Sequence, residues 1–248
     1  MQLSIITINL NNKSGLEETI RSVISQSYAN FEYIVIDGGS SDGSVDVIKK
    51  YQNKITQWTS EKDFGIYNAM NKGIEKAKGK YCLFINSDDV LYDNNVVSDF
   101  ISLNTNSDIV YGNLLFTYPN GKTRKGVMPN KLSFRHMMRD TLWHPVSFIK
   151  KELFTIIGKF DEQYSIVSDY DFFIKAVLIY KVSTQKTNRI IAIFKQNGIS
   201  ATFGNKEKIL TERSAVQLKY FKKEEVRKGL KTNLIEIILR KTRRRIGV

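Results

Sequence analysis

The chain opens on Leu3-Ser4-Ile5-Ile6-Thr7-Ile8, a β-rich apolar run, and between Glu17 and Ser27 the apolar positions Ile20, Val23 and Ile24 recur at helical spacing. Phe31-Glu32-Tyr33-Ile34-Val35-Ile36 predicts a second strand, so the chain begins strand, helix, strand. A short helix over Ser44 to Tyr51, with Val47, Ile48 and Tyr51 on one face, leads to a strand at Ile55-Thr56-Gln57-Trp58. Ile66, Met70 and Ile74 mark another helix that stops near Lys78-Gly79, and Tyr81 to Ile85 predicts the next strand. Such alternation predicts an α/β fold with a mostly parallel sheet covered by helices on both faces, because parallel neighbours need crossover connections.

Beyond residue 100 the pattern changes. Ile109-Val110-Tyr111 and Leu114-Leu115-Phe116-Thr117-Tyr118 flank short breaks, and Pro119-Asn120-Gly121 is a turn signal, so a small antiparallel portion is expected. Asp169 to Tyr180 predicts a helix with Phe172, Phe173, Ala176 and Val177 inward, and Ile190 to Phe194 a strand. The chain shows no internal repeat and no low-complexity linker, so one domain is expected over residues 1–218. Its first half, to about residue 105, and its second half, from about residue 106, precede a tail at 219–248.

In a sheet of this kind ligands bind at the carboxyl ends of the strands. The ends of two long strands carry Asp37 and the pair Asp88-Asp89, so acids distant in sequence are expected to meet at one rim. Adjacent carboxylates at a strand end suit a hard divalent cation, magnesium or manganese, while a helix N-cap is the alternative reading of an isolated Asp-Asp. The stretch Asp37-Gly38-Gly39-Ser40-Ser41-Asp42-Gly43 lets backbone approach a ligand, and Asp37 can accept from a nucleobase or a ribose; a plain βα turn is the alternative. Its glycines do not follow the dinucleotide fingerprint, and Gly79-Lys80-Tyr81 is not a phosphate-cradling loop.

Composition narrows the choice. With 248 residues and 42% hydrophobic content, the chain can bury a large core. No window approaches the roughly 20 apolar residues needed to cross a bilayer, and Met1 to Leu10 lacks the basic region and cleavage site of a secretory signal, so a cytoplasmic protein is expected. The single cysteine, Cys82, sits in an apolar run and is expected in the core; one cysteine and two histidines exclude a thiolate-rich zinc site. The net charge of +13 is uneven: from Lys219 to Val248 eleven Lys or Arg face Glu224, Glu225 and Glu236, which leaves +5 for the first 218 residues. A nucleic-acid-binding module is therefore not expected, although it stays the non-catalytic alternative.

Thr7-x-Asn9, Ser22-Val23-x-x-Gln26-Ser27-Tyr28, the Asp37 loop, Asp63-x-Gly65-Ile66-Tyr67-Asn68-Ala69-Met70-Asn71-Lys72-Gly73 and Asn86-Ser87-Asp88-Asp89 together resemble a family 2 glycosyltransferase of the GT-A fold, of the kind that builds bacterial polysaccharides. The resemblance is dense over residues 3 to about 100 and continues in two later patches. It implies a nucleotide-sugar site that includes Thr7, Asn9, Asp37, Asp63, Asn68, Asn71 and Asp88, with Asp37 on the base, commonly uridine. Asp88 and Asp89 match the family's DxD-type motif, one touching ribose and the other holding Mn2+ or Mg2+ between the two phosphates; Asn86 stands where many relatives have an acid.

Ser168-Asp169-Tyr170-Asp171-Phe172 resembles the family's Glu-Asp motif, with Ser168 in place of the first acid, and so implies Asp169 as general base. Asp171 is the nearest rival, two residues on and so turned about 200° around a helix. His144, in Trp143-His144-Pro145, matches a histidine position and could ligate the metal or bond a diphosphate; a structural histidine is the alternative. His136 offers no constellation and is expected at the surface. Asn197-Gly198-Ile199-Ser200 resembles a segment that shapes the pocket wall. The Gln-x-x-Arg-Trp signature of processive synthases is missing, which implies addition of one or a few sugars to a glycan or lipid-linked acceptor. Leu230, Leu234, Ile235, Ile237, Ile238 and Leu239, followed by Arg240-Lys241 and Arg243-Arg244-Arg245, form a candidate basic amphipathic helix for an anionic membrane surface, which would make the protein peripheral; a packing helix is the alternative. A sugar nucleotidylyltransferase is the competing enzyme class, but Leu10 to Gly15 lacks its glycine-rich basic loop.

Overall fold

A computed structural model describes residues 1–195 and 205–231. The segment Asn197 to Ser200 and the tail from Leu234 to Arg245 lie outside the described residues. The elements run β1 (Leu3–Asn9), α1 (Lys13–Ile24), β2 (Glu32–Asp37), α2 (Ser44–Tyr51), β3 (Gln57–Ser60), α3 (Ile66–Lys76), β4 (Tyr81–Phe84), β5 (Val90–Leu91) and α4 (Val96–Ser102). They continue with β6 (Ile109–Thr117), β7 (Thr123–Gly126), α5 (Phe134–Arg139), β8 (Ser147–Lys150), α6 (Leu153–Ile156), α7 (Ser168–Ile174), β9 (Thr184–Lys195), α8 (Lys206–Tyr220) and α9 (Lys223–Leu230).

Among the described residues the strands form one sheet in the order β3-β2-β1-β4-β8-β6-β9-β5, with β7 also on β6. The first four in that order are parallel, and the sheet turns mixed where β8 pairs antiparallel with β4 and β6. Central β1 is buried along its length, and its alternation feeds two cores: Ile6 and Ile8 join Ile34, Ile36, Met70 and Phe84 on one face, while Leu3 and Ile5 join Leu16, Ile20, Tyr33 and Val35 on the other. Helix α3 lies close on β1, because Gly73 presents no side chain to Ile6. Parallel pairing aligns the strand ends: Asn9 stands opposite Asp37, and β4 delivers Asn86 to Asp89 just beyond the same rim.

Several expectations are corrected. The two apolar runs after residue 108 form one strand, β6, bent by a register shift at Gly112-Asn113, where the Asn113 side chain bonds the Asn188 carbonyl and the Met128 N–H. Strand β9 begins at Thr184, ahead of the expected Ile190, because β6 offers it a parallel edge. Asp88-Asp89 caps no helix; it leads into β5. The helix after Ser168 narrows its α-helical part to Ile174 and continues to Ile179 as a wider π-type turn. The boundary set at residue 218 falls inside α8, and α9 packs onto α5, where Phe134 meets Phe221 at 5.1 Å and Gly229 lies against Met138. His136 is half-buried, not at the surface: its Nε2 has no partner, and burial lowers its pKa from the ordinary value, with Asp140 opposing. Cys82 is in the core as expected.

Candidate active site

At the rim of β1, β2 and β4 a cavity of about 640 Å³ opens, lined by Asn9, Asp63, Asp88, Asp89, His144 and Asp169 among others. The chemistry therefore gathers where the strand-end rule places it.

The Asp37 loop builds one wall. Asp37 is fully buried, and five donors use its oxygens: Asn9 Nδ2 at 2.8 Å, Ser40 Oγ at 2.6 Å, Ser60 Oγ at 2.7 Å and the N–H groups of Gly39 and Ser40 at 3.2 and 2.9 Å. Burial alone would raise its pKa, but the bonds from Ser40, Ser60 and Asn9 outweigh that and lower it. Asp37 thus does not line the cavity, whereas Asn9 does, and Asn9 Oδ1 is buried without a hydrogen-bond partner. Bracing by Asp37 fixes the Asn9 amide with its acceptor still free. Asp63 completes this wall; a Cβ on Gly38 would collide with its carboxylate, so that glycine permits the approach.

The other expected nucleotide contacts are engaged elsewhere. Thr7 is fully buried, donating to the Ile85 carbonyl at 2.7 Å beside the Tyr33 hydroxyl at 3.1 Å. Asn71 exchanges bonds with the backbone of Phe160 at 2.9 and 3.1 Å, and both Asn68 and Asn71 donate to Glu162. These residues pin α3 to the 160–162 loop and do not line the cavity.

After β4 the chain is locked by Thr19, whose hydroxyl donates to the Asp89 carbonyl at 2.6 Å and accepts from the Asp88 N–H at 3.1 Å. Asp88 lines the cavity and takes φ +86°, a left-handed conformation that costs a non-glycine residue about 1–3 kcal/mol. Its carboxylate meets Lys195 at 3.2 Å. Asp89 is buried, and no hydrogen bond to its carboxylate occurs among the described residues; burial pushes its pKa up to about 7, His144 and Lys195 opposing and Asp88 adding. A carboxylate buried at a cavity wall with no protein donor fits a cation, and two adjacent aspartates are oxygen ligands of the right class for Mn2+ or Mg2+.

His144 does not join them. Its Nε2 stands 3.2 Å from Asn86 Nδ2 and its Nδ1 stands 3.1 Å from Asp169 Oδ2, so both ring nitrogens are spoken for. Among the described residues no group of three His, Cys, Asp or Glu converges on a metal position. With Asn86 donating to Nε2, Nδ1 carries the hydrogen and donates to Asp169, so the ring is engaged with protein partners and not with the Asp88-Asp89 carboxylates.

Asp169 sits in the first turn of α7 and lines the cavity. Besides His144, it faces the Tyr170 N–H at 2.8 Å and the Tyr67 hydroxyl at 3.1 Å, both on Oδ1, the hydroxyl sharing its proton with the Ile166 carbonyl at 2.7 Å. Tyr67 is held neutral, because burial, then the Asp169 charge, push its pKa well above the usual phenol value. The helix itself is anchored by Phe172, which stacks on Phe154 at 4.8 Å, and by Glu212 of α8, which accepts from the N–H groups of Ile166 and Val167 at 3.0 and 3.2 Å. Asp171 is fully buried against Lys175 at 3.1 Å and the Tyr220 hydroxyl at 2.9 Å, away from the cavity.

The sequence reading missed Tyr67, Asn86, Lys195 and Arg213 as cavity residues. Tyr67 and Asn86 lay inside motifs already singled out, and Lys195 follows an apolar strand, where the strand-end rule points. Arg213 carries no local signal, because only the packing of α8 brings it to the cavity.

A family model described as Glycosyl transferase family 2 matches residues 4–164. A PGL/p-HBAD biosynthesis glycosyltransferase of Mycobacterium bovis is 28% identical over 82% of this chain and 81% of its own length. An uncharacterized glycosyltransferase of Mycobacterium tuberculosis is 30% identical over 82% of this chain and 80% of its own. Among solved structures, S. aureus TarS 1–349 in complex with UDP-GlcNAc superposes with a TM-score of 0.69 at 18% identity, over 93% of this chain and 70% of that one. The mannosyltransferase PcManGT from Pyrobaculum calidifontis, in complex with GDP-Man and Mn2+, gives 0.68 at 13% identity, over 89% and 65%. The architecture is that of the GT-A fold.

Proposed function

The chain belongs to glycosyl transferase family 2, and from that premise we propose that it is a metal-dependent, inverting glycosyltransferase that moves a sugar from a nucleotide diphosphate sugar, UDP-linked in the first instance, to a hydroxyl of a glycan or lipid-linked acceptor. That membership leaves the nucleotidylyltransferase and nucleic-acid readings without support. The observation that carries the proposal is that one cavity is lined by both Asp88-Asp89 and Asp169. Similar folds holding UDP-GlcNAc, or GDP-Man with Mn2+, support the donor class and the cation. The C-terminal excess of Lys and Arg supports an acceptor held at an anionic membrane surface.

On this reading Asn9 and Asp63 take the nucleoside, with Asp37 acting through Asn9. Asp88 and Asp89 would hold the cation, which offsets the charge that collects on the departing diphosphate. Asp169 accepts the proton of the acceptor hydroxyl as its oxygen forms the new glycosidic bond; the bond to the donor phosphate breaks and its electron pair leaves with the nucleotide diphosphate. His144 and Tyr67 hold the carboxylate in place for that step.

Two variants divide the roles. Asp169→Asn is expected to retain Mn2+-dependent UDP binding in titration calorimetry while losing transfer, and Asp89→Asn to lose the Mn2+ dependence of that binding. Full transfer by Asp169→Asn would falsify the assignment.

A further inference from the structure

Past Asp169 the cavity is walled by Thr141, Trp143, Ile166, Ile209 and Arg213, an apolar surface carrying one guanidinium. Arg213 stands next to Glu212, whose carboxylate grips the loop entering α7 through the N–H groups of Ile166 and Val167. The same helix therefore fixes both the base and the cation at a set spacing. The guanidinium lies 4.2 Å over the Tyr170 ring and donates through Nη2 to the Asp140 carbonyl at 3.1 Å. Among the described residues no carboxylate reaches it within ion-pair distance; its protein partners are the Asp140 carbonyl and the Tyr170 side chain, which leaves other N–H groups of the fork for a ligand.

A clamped guanidinium with open donors beside a cavity is preorganised for an oxyanion, since planar N–H pairs match phosphate or carboxylate oxygens. Its partners differ from those at the Asp88-Asp89 end of the cavity. Asp88, Asp89 and Lys195 cluster at the ends of β4 and β9, whereas Arg213 stacks on Tyr170, the residue after the base. Building on the glycosyltransferase reading above, we propose that the acceptor carries an anionic group, a phosphate or a carboxylate, close to its attacking hydroxyl, and that Arg213 binds it. The charge contact orients the hydroxyl toward Asp169 and selects against neutral sugars.

Three small probes test this on the full chain saturated with UDP and Mn2+: glycerol 1-phosphate, methyl β-glucuronide and methyl β-glucoside, with affinities read by ligand-observed NMR. At least one anionic probe is expected to bind about tenfold more tightly than the neutral glucoside, and Arg213→Met to erase that preference. Arg213→Lys is expected to restore part of it, with the Tm of both variants checked against the parent chain. Preference for glycerol 1-phosphate points to a polyol- or lipid-phosphate acceptor, and preference for the glucuronide to an acidic sugar. Equal binding of all three probes, an unchanged preference in Arg213→Met, or a tenfold loss of UDP affinity in that variant overturns the proposal. The donor reading fails separately: if UDP does not bind at all, that reading falls, while the anion preference can still be scored on the unliganded chain.

Discussion

The two walls of the cavity are held by different means. On the side proposed for the donor, side chains are fixed by backbone that strands already position: Asp37 ends β2, Asn9 ends β1 opposite it, and Asp88-Asp89 follow β4 with Thr19 as their clamp. On the acceptor side, Asp169 is held by side chains from far along the chain, with Tyr67 on α3 and His144 before β8 meeting it, and α8 holding its loop through Glu212. The contrast teaches that the donor wall is set by local sequence and sheet register, and the acceptor wall by tertiary packing. A fold built this way can change its acceptor by moving helices without disturbing the nucleotide rim.

The sharpest way to break the comparison is to exchange the roles of two acids two residues apart on α7 that differ in exposure. Asp169→Asn is expected to cut kcat by about 10²–10⁴-fold with little change in Tm. Asp171→Asn is expected to do the reverse: it leaves Lys175, Lys219 and Tyr220 without their buried carboxylate, at a cost of about 3–5 kcal/mol, while turnover persists. Thermal denaturation and initial rates on both variants decide it, and a dead, stable Asp171→Asn would move the base.

His144→Ala comes next in size. Loss of the Nδ1 donor lets the Asp169 carboxylate turn, and misplacement of a reacting group by about 1 Å costs on the order of 10²-fold in rate. The apparent Mn2+ affinity is expected to stay within about twofold, measured by electron paramagnetic resonance. A large fall in that affinity would return His144 to the metal.

What could be read from the sequence follows the same division. Most strands and helices to Phe84 were legible because their apolar periods are clean, and α2 and the start of α3 match the expected residues, whereas β3 runs Gln57–Ser60, two residues later than the expected Ile55–Trp58. Asp88-Asp89, Asp63 and Asn9 were legible as cavity residues because strand ends in a parallel sheet have one destination. Thr7, Asn68 and Asn71 belong to the same motifs but serve packing, and a motif does not say which of its polar atoms face inward. The bend in β6, the early start of β9, the link from His144 to Asp169 and the arrival of Arg213 all depend on contacts between segments tens of residues apart. No local pattern encodes them.

On the donor wall Asp37 offers a test through pH. Its folded pKa is lowered, so its contribution to stability is present above the unfolded value of about 3.9 and is lost as pH falls through the folded value. Asp37→Asn is expected to lower stability by about 1–3 kcal/mol near neutral pH, since the N–H groups of Gly39 and Ser40 and the Ser40 and Ser60 hydroxyls lose a charged acceptor. The gap in Tm between parent and variant is expected to narrow as pH drops below about 4. A gap independent of pH would mean that shape, and not charge, is what the loop requires.

The smallest effect concerns a side chain that ties the two walls together beside Asp88. Lys195 closes β9 in the acceptor half and reaches back to Glu18 and to Asp88 in the donor half. Partly exposed ion pairs contribute about 0–1 kcal/mol, so Lys195→Met is expected to shift Tm by only a few degrees at most. Its electrostatic consequence is more informative than its stability. An ammonium beside Asp88 competes with any cation brought to Asp88-Asp89, so removing it is expected to tighten Mn2+ binding a few-fold in the absence of nucleotide. With UDP present the advantage is expected to shrink, because the same ammonium is then missing from beside the diphosphate. Paired Mn2+ titrations with and without UDP measure that difference directly. If Lys195→Met weakens Mn2+ binding in both, Lys195 supports the cation site instead of competing with it, and the two walls are coupled through the lysine and not merely adjacent.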